Sequence, residues 1–139
     1  MGLSREELAK HLKDDLLMLY KVIVKEVYTP KQFFEMLDRD GAVECSRNLL
    51  NTKTLSYGFE KLYLAKRLEL TLENFILKST VYHIFFTESM LNNAKKKMKD
   101  LEFDVTGNKL ETFAKTYPQY KFHHLGNGWT GGYVIKPFL

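Results

Sequence analysis

At 139 residues, with 45% hydrophobic and 14% aromatic content, the chain is the length of one ordinary domain and carries enough apolar side chain to bury a core. A charged fraction of 27% is ordinary for a soluble protein, and no run reaches the roughly 18 apolar residues that a membrane span needs. The net charge of +4 is concentrated in the middle, where residues 51–100 carry 9 Lys+Arg against 5 Asp+Glu, while residues 1–50 carry 8 against 9. Only 4 of the 21 cations are Arg, the residue best suited to bidentate phosphate and base contacts, so attraction to nucleic acid is a weak electrostatic expectation.

The start MGLSREEL puts acidic residues where a secretory signal has its apolar core, and Glu6 where myristoylation needs Ser or Thr. A cytoplasmic location is therefore expected. Cys45 is the single cysteine, which rules out an intramolecular disulfide and agrees with a reducing compartment. Ser4 and Glu7 then form a capping box, and Leu8, Leu12, Leu16, Leu19, Ile23 and Val27 recur at spacings of four and three. These predict a long amphipathic helix. With Leu17, Met18, Tyr20, Val22 and Val24 added, it is apolar around most of its circumference and must be covered on more than one side.

Thr29 and Gln32 suggest a second capping box with Pro30 at the first helical position, opening a helix through Phe33, Phe34 and Leu37. Asp40 and Gly41 should break it, and a short helix carrying Val43, Leu49 and Leu50 should run to the polar Asn51–Thr54 connection. Leu55, Phe59 and Leu62 share the next helical face, capped by Ser56 or Thr54. Arg67–Glu73 reads two ways: Leu68, Leu70 and Leu72 alternate as in a strand, but a turn and a helix capped by Thr71 put Glu73 in a favourable first turn. The turn and helix are favoured. Thr87 caps a helix with Met90, Leu91, Ala94, Met98 and Leu101 on its core face, and Asn108 with Glu111 starts another that Pro118 ends. The segment from Leu55 to Leu101 is expected to be the stability core.

The tail changes character. Tyr120–Leu125 and Trp129–Ile135 flank Gly126, Asn127 and Gly128, and an Asn-Gly step between aromatic-rich extended runs signals a hairpin. An isolated hairpin is marginal in water, so residues 119–136 should dock on the helices. The expectation is a mainly α single domain over residues 1–139, a bundle of about six helices with a C-terminal two-stranded β-hairpin.

Ser56, Gly58, Phe59 and Leu62, then Arg67, Leu68, Glu69, Leu70, Thr71 and Glu73, and later Phe86 and Thr87, spell a Ser/Gly/Phe pattern followed by Arg-Leu-acid-Leu-Thr. This pattern, about a third of the chain, resembles short bacterial helical proteins of unknown function. The resemblance implies a module of bacterial or phage type that occurs alone or beside nuclease or defence-type proteins. Its motif residues look structural, and it implies no functional residue.

No recognisable set of catalytic groups or metal ligands is present, and no cofactor is expected. Gly126, Gly128 and Gly131 have dinucleotide-turn spacing, yet no helix and no later acidic residue can follow in the eight positions left. Asp38, Asp40 and Gly41 are spaced like part of a calcium loop, but its first and twelfth positions would be Met36 and Arg47. His123 and His124, as strand neighbours, would point to opposite faces and could not clamp one ion; His83 reads as a half-buried histidine. Cys45 would need an activating histidine or helix N-terminus, and a buried, inert thiol is the better expectation.

Two surfaces remain. Trp129, Tyr133 and Tyr120 are the candidate partner-binding aromatics of the tail. Lys95, Lys96, Lys97 and Lys99, with Arg67, are the candidate phosphate contacts, although a lysine run on a helix is more often a solvated face. The leading expectation is a non-catalytic protein-interaction or regulatory module, with no membrane association, whose protein partner and oligomeric state the residues do not specify. The alternative is a nucleic-acid-binding accessory domain. An enzyme ranks third, because nothing indicates convergent acid, base or nucleophile.

Overall fold

In the computed structural model, residues 3–125 are described. Helix α1 spans Arg5–Glu26, and Ser4 caps it by accepting the Glu7 amide at 3.1 Å. Helix α2 spans Lys31–Asp40 and α3 spans Ala42–Asn51, joined at Gly41, whose φ of 82° favours a residue without a Cβ. Helix α4 runs Tyr57–Leu64 with Ser56, not Thr54, as its cap. A 3-10 turn at Leu68–Leu70 leads into α5, Leu72–Lys78, which Thr71 caps at the Asn74 amide. A second 3-10 stretch, Thr80–Phe85, precedes α6, Glu88–Asp100, capped by Thr87, and α7 spans Lys109–Thr116. Among the described residues no helix is long and apolar enough to cross a membrane.

The helical reading of Arg67–Glu73 is the one adopted. The 3-10 turn buries Leu68, Glu69 and Leu70 together, which a half-buried strand would not. Two predicted caps differ. Pro30 is itself the N-cap of α2, so Thr29 stands one place too early for its side chain to reach the first turn; its carbonyl accepts the Lys31 amide instead. Asn108 makes no side-chain cap, and Glu111 is drawn into an ion pair with Lys78 at 3.0 Å.

The predicted C-terminal hairpin is corrected. Among the described residues there is no strand, and 117–125 runs as turns and irregular chain. The reason is visible in the donors: the amides of His123 and His124, which a ladder would spend on a partner strand, both donate to the Asp15 carboxylate. Phe122 and Leu125 are buried in the core from this irregular segment. The expected turn at Asn127–Gly128 and the second strand lie outside the described residues.

Helix α3 is the hub, packing against α1, α2, α5 and α6. The main apolar cluster joins Leu8, Leu12, Leu16, Leu19 and Val22 of α1 to Phe75, Ile76, Tyr82 and Phe122. A smaller one joins Phe59, Leu68 and Met98. The core therefore draws on α1 as well as on residues 55–101. Phe59, 3% exposed, ties α4 to α6 through Met98, and Phe59→Ala should cost about 3–5 kcal/mol. A urea midpoint unchanged by that substitution would remove Phe59 from the core.

Candidate functional site

The end of α1, the start of α2, α4 and the start of α5 do not close on one another. Between them lies a cavity of about 490 Å³, within the range of roughly 300–1,000 Å³ typical of small-molecule sites. Its floor is buried: Leu19 and Ile23 from α1, Leu62 from α4, Leu70 and Leu72 around Thr71. Phe33 and Met36 of α2 and Leu49 of α3 form further wall. Tyr28 and Tyr57 meet edge to face at the opening, ring centroids 6.4 Å apart, and Tyr57 remains 58% exposed. Lys61 lies over the Tyr57 ring at 5.4 Å. Burial, with Tyr57 adding to it, pushes the Tyr28 phenol up, so it stays a neutral hydroxyl.

Two hydroxyls in the wall are engaged in local caps. Ser56 holds the Phe59 amide, and Thr71 donates to the Leu68 carbonyl while accepting from Asn74. Glu73 is different. The residue lines the cavity and is 97% removed from solvent, and its carboxylate pairs through Oε2 with Lys97 Nζ at 3.0 Å. Lys97 also donates to the Leu49 carbonyl at 3.0 Å. Burial pushes the Glu73 carboxyl up, and the Lys97 charge pulls it back.

This pairing alters the lysine cluster read from sequence. Lys97 is buried in α6 and its ammonium faces Glu73, not solvent. Lys96 is exposed but paired with Asp100 at 2.8 Å, and Lys95 and Lys99 are exposed. Arg67 binds Glu69 at 2.6 Å and Glu26 at 3.0 Å, with its guanidinium over the Phe113 ring. Tyr120 is half-buried and stacks on Phe113 at 5.7 Å, away from open surface; Trp129 and Tyr133 lie outside the described residues, as do Gly126, Gly128 and Gly131. Asp40 pairs with Arg39, His83 binds the Ile76 carbonyl, and burial pushes the Cys45 thiol up to about 11.

Toward the other end of α1 a second polar cluster pins the tail segment. Asp15, fully buried, accepts the Tyr82 hydroxyl at 2.5 Å, the His123 amide at 2.6 Å and the His124 amide at 3.1 Å. His11 Nδ1 and His124 Nε2 share a hydrogen at 2.9 Å, His11 stacks on His123 at 4.1 Å, and His123 reaches Asp14 at 3.0 Å. Because 123 and 124 are not in a strand, both rings come to α1. Among the described residues no group of three His, Cys, Asp or Glu side chains could hold a metal ion. No sequence motif marks His11, Asp15, Tyr28 or Tyr82. Only Asp15 carried a usable signal, standing on the apolar seam Leu8, Leu12, Leu19, Val22 at the position where a leucine would recur.

Compared with protein-family models, curated proteins and solved structures, the chain has no match.

Three donors on one buried carboxylate make Tyr82→Phe a sharp probe. It should destabilise by about 1.5–3 kcal/mol, the range of a hydrogen bond to a charged group, read from the urea midpoint. Burial, reinforced by His11 and His123, pulls His124 down to about 4, while burial pushes Asp15 up to about 6 against its three hydrogen bonds. The two act in opposite senses. The unfolded histidine takes its proton first, near pH 6.5, so the stability of neutral His124 is lost as pH falls from about 6.5 through about 4. Folded Asp15 takes its proton first, so its contribution is present below about 4 and lost as pH rises through about 6. His124→Asn should therefore lose less melting temperature than the wild type on acidification across that window. An identical pH slope would clear His124 as the source.

Proposed function

We propose that this protein is a non-catalytic binding protein that takes a largely apolar ligand into the cavity between α1, α2, α4 and α5. The observation that carries the reading is the cavity itself, about 490 Å³ with a buried aliphatic floor and two tyrosines at its opening. Such a site removes most of a small ligand's apolar surface from water, and that transfer drives binding without any charged contact. The wall supports binding over chemistry, because its hydroxyls at Ser56 and Thr71 are held by local caps and its one carboxylate is neutralised by Lys97. The basic-cluster alternative has less support, since Lys97 and Arg67 are tied to carboxylates within the fold.

The test is saturable fluorescence enhancement of N-phenylnaphthylamine on titration with the protein. Leu72→Phe, which adds volume to the wall, should weaken the probe's affinity roughly tenfold or more, since adding atoms to a filled space forces strain. Its circular dichroism should match the wild type. Non-saturable or absent enhancement by the wild type would refute the cavity as a binding site.

A further inference from the structure

A buried ion pair formed by a residue that lines the cavity needs a reason. Two charges removed from water are generally no more stabilising than well-packed apolar side chains of the same volume. Leu49, Leu70 and Leu72 line the same cavity, so apolar residues suit its wall. Glu73 is nevertheless the one carboxylate residue among those that line the cavity. Resting on the cavity as a ligand site, we propose that the ligand is a neutral apolar molecule bearing a hydroxyl or N–H donor at its buried end, and that Glu73 accepts that hydrogen.

Acceptor capacity supports the assignment. An ionised carboxylate offers about four lone-pair positions. Lys97 at Oε2 and the residue's own amide account for two. Thr71, two residues before Glu73, gives its hydroxyl hydrogen to the Leu68 carbonyl and does not compete for the carboxylate. Charge narrows the class further. Lys97, 3.0 Å from the carboxylate, already balances it, so a cationic head would meet a like charge and a carboxylate head would meet Glu73. A neutral donor meets neither. Alcohols, phenols and indole-like N–H groups on an apolar body satisfy both the floor and the wall.

The experiment compares para-butylphenol with para-butylanisole, equal in apolar body and differing in whether the oxygen carries a hydrogen. Each is titrated against the N-phenylnaphthylamine complex of the full chain. The phenol should displace the probe roughly tenfold more tightly or better, as expected for a hydrogen bond to a charged acceptor. Glu73→Leu combined with Lys97→Met removes both charges and keeps the volume, and should bind the probe while treating phenol and anisole alike. Should that double variant fail to fold, Glu73→Gln, a neutral acceptor of the same shape, should narrow the difference. Equal displacement by the two compounds in the wild type would overturn this inference and leave the cavity reading standing. So would full discrimination persisting in either variant. Failure of the wild type to bind the probe at all would overturn both.

Discussion

Helix α1 is apolar on more of its surface than one neighbour can cover, and the placement of the other elements follows from covering it. Leu8, Leu12, Leu16, Leu19 and Val22 are all fully buried, each worth about 1.5–3 kcal/mol when removed from water. Leu8 to Val22 span about 21 Å of helix, and α3, 10 residues or about 15 Å long, is too short to cover them alone. Helix α3 packs along it, α2 folds back onto it, and the Leu68–Leu70 turn closes on it. Around Asp15 the cover is the irregular segment that carries Phe122 and Leu125. Nearer the C-terminal end, beside Leu19 and Ile23, the cover is incomplete, and the cavity is what the incompleteness leaves.

The two ends also differ in how they hold buried charge. Asp15 spreads its charge over three donors from two distant parts of the chain, so the carboxylate fixes where the tail segment lies as well as being satisfied by it. Main-chain amides cannot be substituted away. This part of the anchorage therefore depends on Asp15, and the ring contacts of His123 with Asp14 and of His124 with His11 add to it. Glu73 instead meets one side-chain donor, the buried Lys97 ammonium, beside its own amide, and this leaves acceptor positions unspent. The first arrangement, with three of about four acceptor positions filled, suits a structural clamp. The second has fewer of them filled.

Much of the helical scaffold was legible because its signals are local. Ser4, Ser56, Thr71 and Thr87 each bond the amide three residues on, and a cap depends on nothing outside its own turn. The tail failed for the opposite reason. An Asn-Gly step and alternating aromatics describe what a ribbon would do if its amides were free, and here two of them were claimed by a residue 108 and 109 positions away. Lys97 shows the same limit. In a run of four lysines it looks like solvated surface, yet it lies three residues after Ala94 and next to Met98, on the buried stripe of α6. Its partner Glu73 reads from sequence as an ordinary first-turn acid. Only the packing of α5 on α6 makes them a pair.

The cavity persists because something stiff holds its walls apart. Tyr28 follows directly on the last turn of α1, its amide bonded to the Ile23 carbonyl at 3.0 Å, so its backbone moves with the helix. Its side chain spans to α4, where the hydroxyl comes so near the backbone of Gly58 that a Cβ there would stand 3.0 Å from it. Glycine at 58 gives room for this approach, and a Cβ there would make the Tyr28 hydroxyl give by a few tenths of an ångström. Tyrosine has two side-chain torsions and a rigid ring, so the span between α1 and α4 is set by covalent lengths, whereas leucines in its place could rotate and let the helices settle together. The same residue that props the opening also presents its hydroxyl beside Tyr57, so width and polarity of the mouth are fixed by one side chain. An apolar space maintained by a strut is one that surrounding residues do not relax to fill, and the free energy that collapse would have gained is left for an incoming molecule.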